Sequence, residues 1–288
     1  MHFDTGAAFL EWPTKAITVF GMSGLGKTWL AARLREDNWF HYSADYRIGT
    51  RYMGEHIVDN FKREAMKVPL LRELLLTDSI DISSNLRFSD LSPLSTYLGK
   101  PGDPARGGIP FAEYKRRQAQ HRDAEIAAMH DVPRFVEKAR TIYGYDHFIC
   151  DAGGSLCEVV DVDDEDDPVL QTIAANTLLL HLEGTEDDAR MLVDRFRKAP
   201  KPMYYNPTFL DTKWAEYKTQ KGDIADDDVD PDAFIAWGYE ELLAYRRPLY
   251  RAIAQRHGIT IAAADLKTAE TTDDVMVLIA TAIDAQAI

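Results

Sequence analysis

Cysteine is nearly missing from this chain: 288 residues hold two, Cys150 and Cys157. Two thiols make no disulfide framework, and no Cys/His set has zinc-ligand spacing. Both fall in or just after an apolar run, so reduced, partly buried thiols are expected. Positive charge is also short. There are 33 Lys and Arg against 47 Asp and Glu, a formal charge of −14. That balance opposes non-specific binding to nucleic acid or an anionic membrane, because both need a basic surface. No apolar run approaches the ~20 residues that cross a bilayer. Met1 to Lys15 lacks a basic stretch followed by an apolar one, so no secretory signal is expected. The expectation is a soluble, reducing, cytoplasmic setting with neither nucleic acid nor membrane as partner; nothing here sets an oligomeric state. What is present is ordinary for a globular protein: 45% hydrophobic, 10% aromatic and 28% charged residues. The length suffices for a core that needs no covalent staple.

Along the chain, β-rich runs alternate with helical patterns. Ala16-Ile17-Thr18-Val19-Phe20, Trp39 to Tyr42, His147 to Asp151, Asn176 to Leu182 and Ile259 to Ala262 read as strands. Helices are expected over Trp29–Arg35, over 56–76 with an interruption at Pro69, and over Glu113–Tyr143 with a break at Pro133. Further helices are expected over Glu186–Arg197, over Phe234–His257 with Gly258 as its C′ residue, and over Asp273–Ala285. Residues 77–110, rich in Ser, Asp, Pro and Gly, read as a long loop. Strands alternating with helices imply a parallel sheet covered on both faces. The expected architecture is α/β: one domain over 1–288, a three-layer sandwich with a five-stranded parallel sheet. It carries a helical and loop insertion at 49–120 and a lid-like region at 186–235.

The sharpest signal follows the first strand. Gly21-Met22-Ser23-Gly24-Leu25-Gly26-Lys27-Thr28 satisfies the P-loop pattern between a strand and a helix. The glycines permit a tight turn whose N–H groups converge on phosphate oxygens, and the helix N-terminus adds its positive end. Lys27 would reach the β- and γ-phosphates, and the Thr28 hydroxyl would ligate Mg²⁺. Gly21 to Trp29 is therefore the candidate ATP site, with ATP and Mg²⁺ as the implied cofactors. Phe148-Ile149-Cys150-Asp151 is an apolar run ending in a carboxylate, the form of a Walker B segment, which makes Asp151 a second metal candidate. Gly153 and Gly154 just beyond it would let backbone approach a ligand. In open α/β sheets, ligands bind outside the carboxyl ends of the strands.

Several short segments, in order, then resemble one family: the shikimate-kinase-like branch of the P-loop small-molecule kinases, whose kin include gluconate and nucleoside-monophosphate kinases. Ser43-Ala44-Asp45 resembles that family's Asp-x-Asp segment, and His121 to Glu125 its Phe-Arg-x-x-Glu. Ala152 to Ser155 resembles its glycine triplet, Leu180 to Leu182 with Glu186 the strand entering its lid helix, and Lys201-Pro202-Met203 its Arg-Pro-Leu. Arg247-Pro248-Leu249-Tyr250 is similar to its Arg-x-Pro-Leu-Tyr. Two departures stand out: Ser43 replaces the first Asp, and the stretch from Arg47 to Arg122 is much longer than the family needs.

The resemblance implies transfer of the ATP γ-phosphoryl group to a hydroxyl of a small acceptor. Asp45 would orient or deprotonate that hydroxyl. Arg122 and Arg247, with Gly153 and Gly154, would hold an acceptor that is anionic, since an arginine fork suits a carboxylate or phosphate. Arg190, with Arg195 and Lys201 as alternatives, would close over the phosphates. The catalytic set is then Lys27, Asp45, Asp151 and Arg190. A rival reading is a nucleotide-dependent switch or regulatory ATPase in which ATP orders the insertion against a protein partner; a nucleotide-binding protein without catalysis is a third.

Overall fold

Five strands form: β1 (Ala16–Gly21), β2 (Trp39–Ser43), β3 (His147–Asp151), β4 (Leu178–Glu183) and β5 (Gly258–Ala262). They make one parallel sheet in the order β2-β3-β1-β4-β5. Every residue of β1 is buried, which explains its continuous apolar run: a parallel strand covered on both faces does not alternate with polar residues. Alternation survives in what each face touches. Ile17, Val19, Ile149, Leu178, Leu180 and Leu182 pack with Phe9, Leu30, Leu34, Ile279 and Ile283, on the side of the helices Lys27–Leu34 and Thr272–Gln286. On the other parity, Thr18 Oγ1 lies 2.8 Å from Thr177 Oγ1. There the Phe20 ring stacks on His181 at 5.3 Å, and His181 lies 5.8 Å from the Tyr250 ring. The helices Val132–Thr141 and Pro168–Asn176, with the Tyr250 stretch of Pro231–His257, cover that face. The result is the expected α/β three-layer sandwich. Burial lowers the His181 pKa to about 4, against the opposing pull of Glu183.

The computed structural model describes residues 1–286. The sheet belongs to a first compact unit made of Met1–Ala44, Glu125–Pro200 and the chain from Ala236 onward; Asp45–Ala124 and Lys201–Ile235 make a second. The second unit takes in the expected insertion together with 201–235, whereas the Glu186–Lys198 helix counts with the first.

The second unit is helical. Its helices include Gly54–Ala65, Pro69–Leu76, Ser92–Leu98, the Phe111–His130 helix as far as Ala124, and Pro207–Gln220. Residues 77–110 are therefore not wholly loop: Ser92–Leu98 buries Leu94, Tyr97 and Leu98. Trp214 stacks on Phe111 at 4.4 Å and meets Phe234 edge-on at 4.8 Å. The Gln118 side chain donates to Met203 O and accepts from Tyr205 N, binding the Met203-Tyr204-Tyr205 stretch to the Phe111–His130 helix.

Gly258 directly follows the Pro231–His257 helix, as expected, but without the positive φ of a left-handed C′ glycine. It is the first residue of β5, and a Cβ there would collide with the Leu179 backbone of β4. Close strand approach explains this glycine. Among the described residues no helix is long and apolar enough to cross a membrane.

Candidate functional site

The loop after β1 is seated from below. Met22 and Leu25 are buried and lie under Gly184 at the end of β4; a Cβ on Gly184 would stand 2.9 Å from Leu25 and 3.3 Å from Met22. Gly24 and Gly26 have φ of +92° and +110°, a region only glycine enters without strain. The helix Lys27–Leu34 starts at once, so its free N–H groups point into the loop. Lys27 is 6% exposed, and its Nζ donates to Gly21 O at 2.8 Å and Met22 O at 3.2 Å. The ammonium thus stands over the cradle where phosphate oxygens would replace those carbonyls. Trp29 is half exposed on the first helical turn.

Thr28 Oγ1 donates to Asp151 Oδ2 at 2.7 Å. Asp151 ends β3, the neighbour of β1, and its register partner on β2 is Ser43. The two metal candidates, 123 residues apart in sequence, therefore meet. A hydroxyl and a carboxylate are hard oxygen donors of the kind Mg²⁺ takes alongside phosphates and water, so these residues fit the ion. His41, also buried on β2, has its pKa lowered by burial and by Arg35, while Asp151 pulls it up.

Gly153 and Gly154 follow Asp151 into a turn. A Cβ on Gly154 would overlap Ser23 Oγ of the P-loop, and Arg246 Nη1 would be its next neighbour at 3.6 Å. Tyr250 donates its hydroxyl to Gly154 O, and the Ser155 hydroxyl donates to Glu125. Behind the turn, Arg246 is paired with Glu158; their side chains are 4% and 0% exposed. Burial opposes the Arg246 charge, but Glu158 holds the guanidinium pKa above its usual value. Burial likewise pushes the Cys157 thiol up.

The arginine beside this turn is Arg246 rather than the substrate candidate Arg247. In Arg246-Arg247-Pro248-Leu249-Tyr250 the spacing Arg-x-Pro is met by Arg246, not Arg247. Arg246 reaches the turn beside the P-loop. Arg247 pairs with Glu186 and lines a cavity of about 370 Å³ between the Glu186–Lys198 and Pro231–His257 helices. Arg190 lines the same cavity, is 74% exposed and pairs with Asp187. No residue of the loop 21–28 lines it. The arginine against the P-loop is Arg195: a Cβ on Gly24 would overlap its guanidinium. The Glu186–Lys198 helix that carries it is fixed by a capping box, Thr185 and Asp188 exchanging hydrogen bonds with each other's backbone N–H.

Asp45 and Arg122 belong to the second unit. Asp45 is half-buried in the Ala44–Arg47 turn of helix that leaves β2. Arg122 lies 3.9 Å from Asp123, both largely exposed. The basic cluster before it is paired, Lys115 with Asp211 and both Arg116 and Arg117 with Glu113. Arg116 and, after it, Arg117 lower the Glu113 pKa to about 2.

No protein-family model matches the chain, and no curated protein is significantly similar to it. Among solved structures, it is similar to a shikimate kinase from Bacteroides thetaiotaomicron, at 16% identity and a TM-score of 0.39. That alignment covers 95% of this chain and 94% of the other.

Proposed function

We propose that this protein is an ATP-dependent phosphotransferase acting on the hydroxyl of a small molecule. The observation that carries the reading is the Thr28–Asp151 hydrogen bond at the mouth of a complete P-loop, which supplies both an anion cradle and a metal-side carboxylate. In the reaction, the acceptor oxygen forms a bond to the γ-phosphorus while the bond from that phosphorus to the β,γ-bridging oxygen breaks. ADP leaves with the electron pair, and the hydroxyl proton passes to a carboxylate or to water. Asp45 is the proposed carboxylate on the acceptor side. Positioning and charge neutralisation supply most of such catalysis. Lys27 and the loop N–H groups would hold the phosphates; Thr28 and Asp151 would hold Mg²⁺, which neutralises phosphate charge when bound.

The test is ATP turnover by the purified protein with and without pools of small hydroxylated metabolites. A phosphotransferase hydrolyses ATP slowly alone and forms phosphate monoesters when an acceptor arrives. Turnover that ignores every small-molecule pool but responds to added protein would replace this reading by the regulatory ATPase.

Arg195 is the proposed arginine at the transferred phosphoryl group. Arg195→Ala is expected to slow turnover about tenfold or more, as loss of a charge-stabilising donor does. Arg190→Ala breaks only an exposed pair and should stay within about twofold of the unmodified protein. Steady-state rates decide; equal losses would remove Arg195 from this role.

A further inference from the structure

The geometry points to the cavity between the Glu186–Lys198 and Pro231–His257 helices as a second ligand site, one that takes an ω-amino carboxylic acid: an unbranched aliphatic chain with a carboxylate at one end and a primary amine at the other. The site does not depend on the phosphotransferase reading. Its volume of about 370 Å³ falls within the roughly 300–1,000 Å³ of small-molecule pockets. All its lining residues belong to the first compact unit. On each helix they recur at three- and four-residue spacing, so each helix offers a single face. The Glu186–Lys198 helix turns different residues, Leu192 and Arg195, toward Gly24 of the P-loop. An occupant of the cavity therefore stands outside the phosphate cradle.

The charges are sorted along this slot. At one end Arg247 pairs across the gap with Glu186 at 2.5 Å, and Arg190 stands one helical turn beyond Glu186. That end lines the cavity with two guanidinium groups and one carboxylate. Asp187, the partner of Arg190, is outside the lining and 83% exposed, so water screens it. At the other end Arg197 is shared between Glu240, 2.6 Å away across the gap, and Asp194 at 3.9 Å. That end holds one guanidinium and two carboxylates. Between the ends lie Ala189, Val193, Leu243 and Ala244, an apolar stretch whose alanines leave room. Arg190 to Asp194 on one helix and Arg247 to Glu240 on the other set the two ends about 6–10 Å apart at 1.5 Å of rise per residue. A carboxylate at the first end and an ammonium at the second bring both into balance, with neither cross-helix pair broken. The arginine fork suits the carboxylate, and methylenes between the two groups cover the apolar stretch. A ligand charged at one end answers half of the slot. One with the same sign at both ends is opposed at one of them.

The experiment titrates the intact protein by calorimetry with 6-aminohexanoate, hexanoate and hexylamine. 6-Aminohexanoate should bind at a single site at least about tenfold more tightly than either one-ended probe, the worth of one added charge-assisted contact. Equal affinities, or no binding of 6-aminohexanoate, would overturn the proposal. Saturating ATP and Mg²⁺ should leave its Kd within about twofold, as separate, uncoupled sites require. Displacement by ATP would put the probe in the nucleotide cradle and overturn the assignment, whether or not the protein transfers phosphate. Two variants read the ends separately. Glu240→Gln removes a carboxylate from the acidic end and should weaken 6-aminohexanoate several-fold without weakening hexanoate. Arg247→Gln should weaken both. An unchanged Kd for 6-aminohexanoate in either folded variant would overturn the assignment. Should Arg247→Gln unfold, Glu240→Gln, which breaks only an exposed pair, still decides.

Discussion

Lys27→Ala is expected to cut ATP turnover roughly 10²–10³-fold, the loss typical when one charge-stabilising donor is removed from a preorganised site. The fold should survive. The Lys27 ammonium donates to the carbonyls of Gly21 and Met22, at the end of β1 and in the loop beyond it, and its side chain is not part of the apolar core of the sandwich. Alanine is also a better helix former at that position. Rates measured beside a thermal melt check both halves. Turnover at the unmodified rate would mean that the loop does not hold the reacting phosphates.

Asp151→Asn should raise the Mg²⁺ concentration for half-maximal ATP turnover about tenfold or more, whereas Ser43→Ala should shift it by no more than about twofold. Asparagine can still accept the Thr28 hydroxyl through its amide oxygen, so the substitution removes charge and little else. A carboxylate is a stronger ligand for a hard cation than a neutral hydroxyl, and the serine opposite Asp151 in register offers only a neutral oxygen. Mg²⁺ titrations of both variants settle the order. The reverse order would place the metal on the β2 side.

All five strands are legible because β-rich apolar runs at spacings filled by helices can hardly form anything but a buried parallel sheet. The P-loop is legible because its chemistry sits in consecutive residues. Prolines hide part of the rest. The sequence pattern places no helix at Pro168 or Pro207, yet each opens one behind a capping side chain, Asp167 and Asn206. Proline suits the first helical turn, where its missing N–H has no partner to lose. The cap-plus-proline pair was the available signal. The cradle-side arginine is harder to read. Arg190 and Arg195 share one helix, and only its rotation against Gly24 distinguishes them. Arg246 was recoverable from the intervening residue in Arg-x-Pro; its pairing with Glu158, 88 residues away in sequence, was not.

The order of the sheet bears on how the chain is made. β1 leaves the ribosome early, but its neighbours are β3 and β4: Ala16 pairs with Phe148 and Ile17 with Leu178. At about 5–20 residues per second, a mostly apolar strand then waits on the order of ten seconds for its first partner, and the Asp45–Ala124 segment is synthesised in between. Such long-range pairing folds slowly. During synthesis the Ala16–Gly21 segment is thus the natural client for a chaperone, and a ribosome stalled before His147 would display the strand that carries the phosphate loop with no sheet to join.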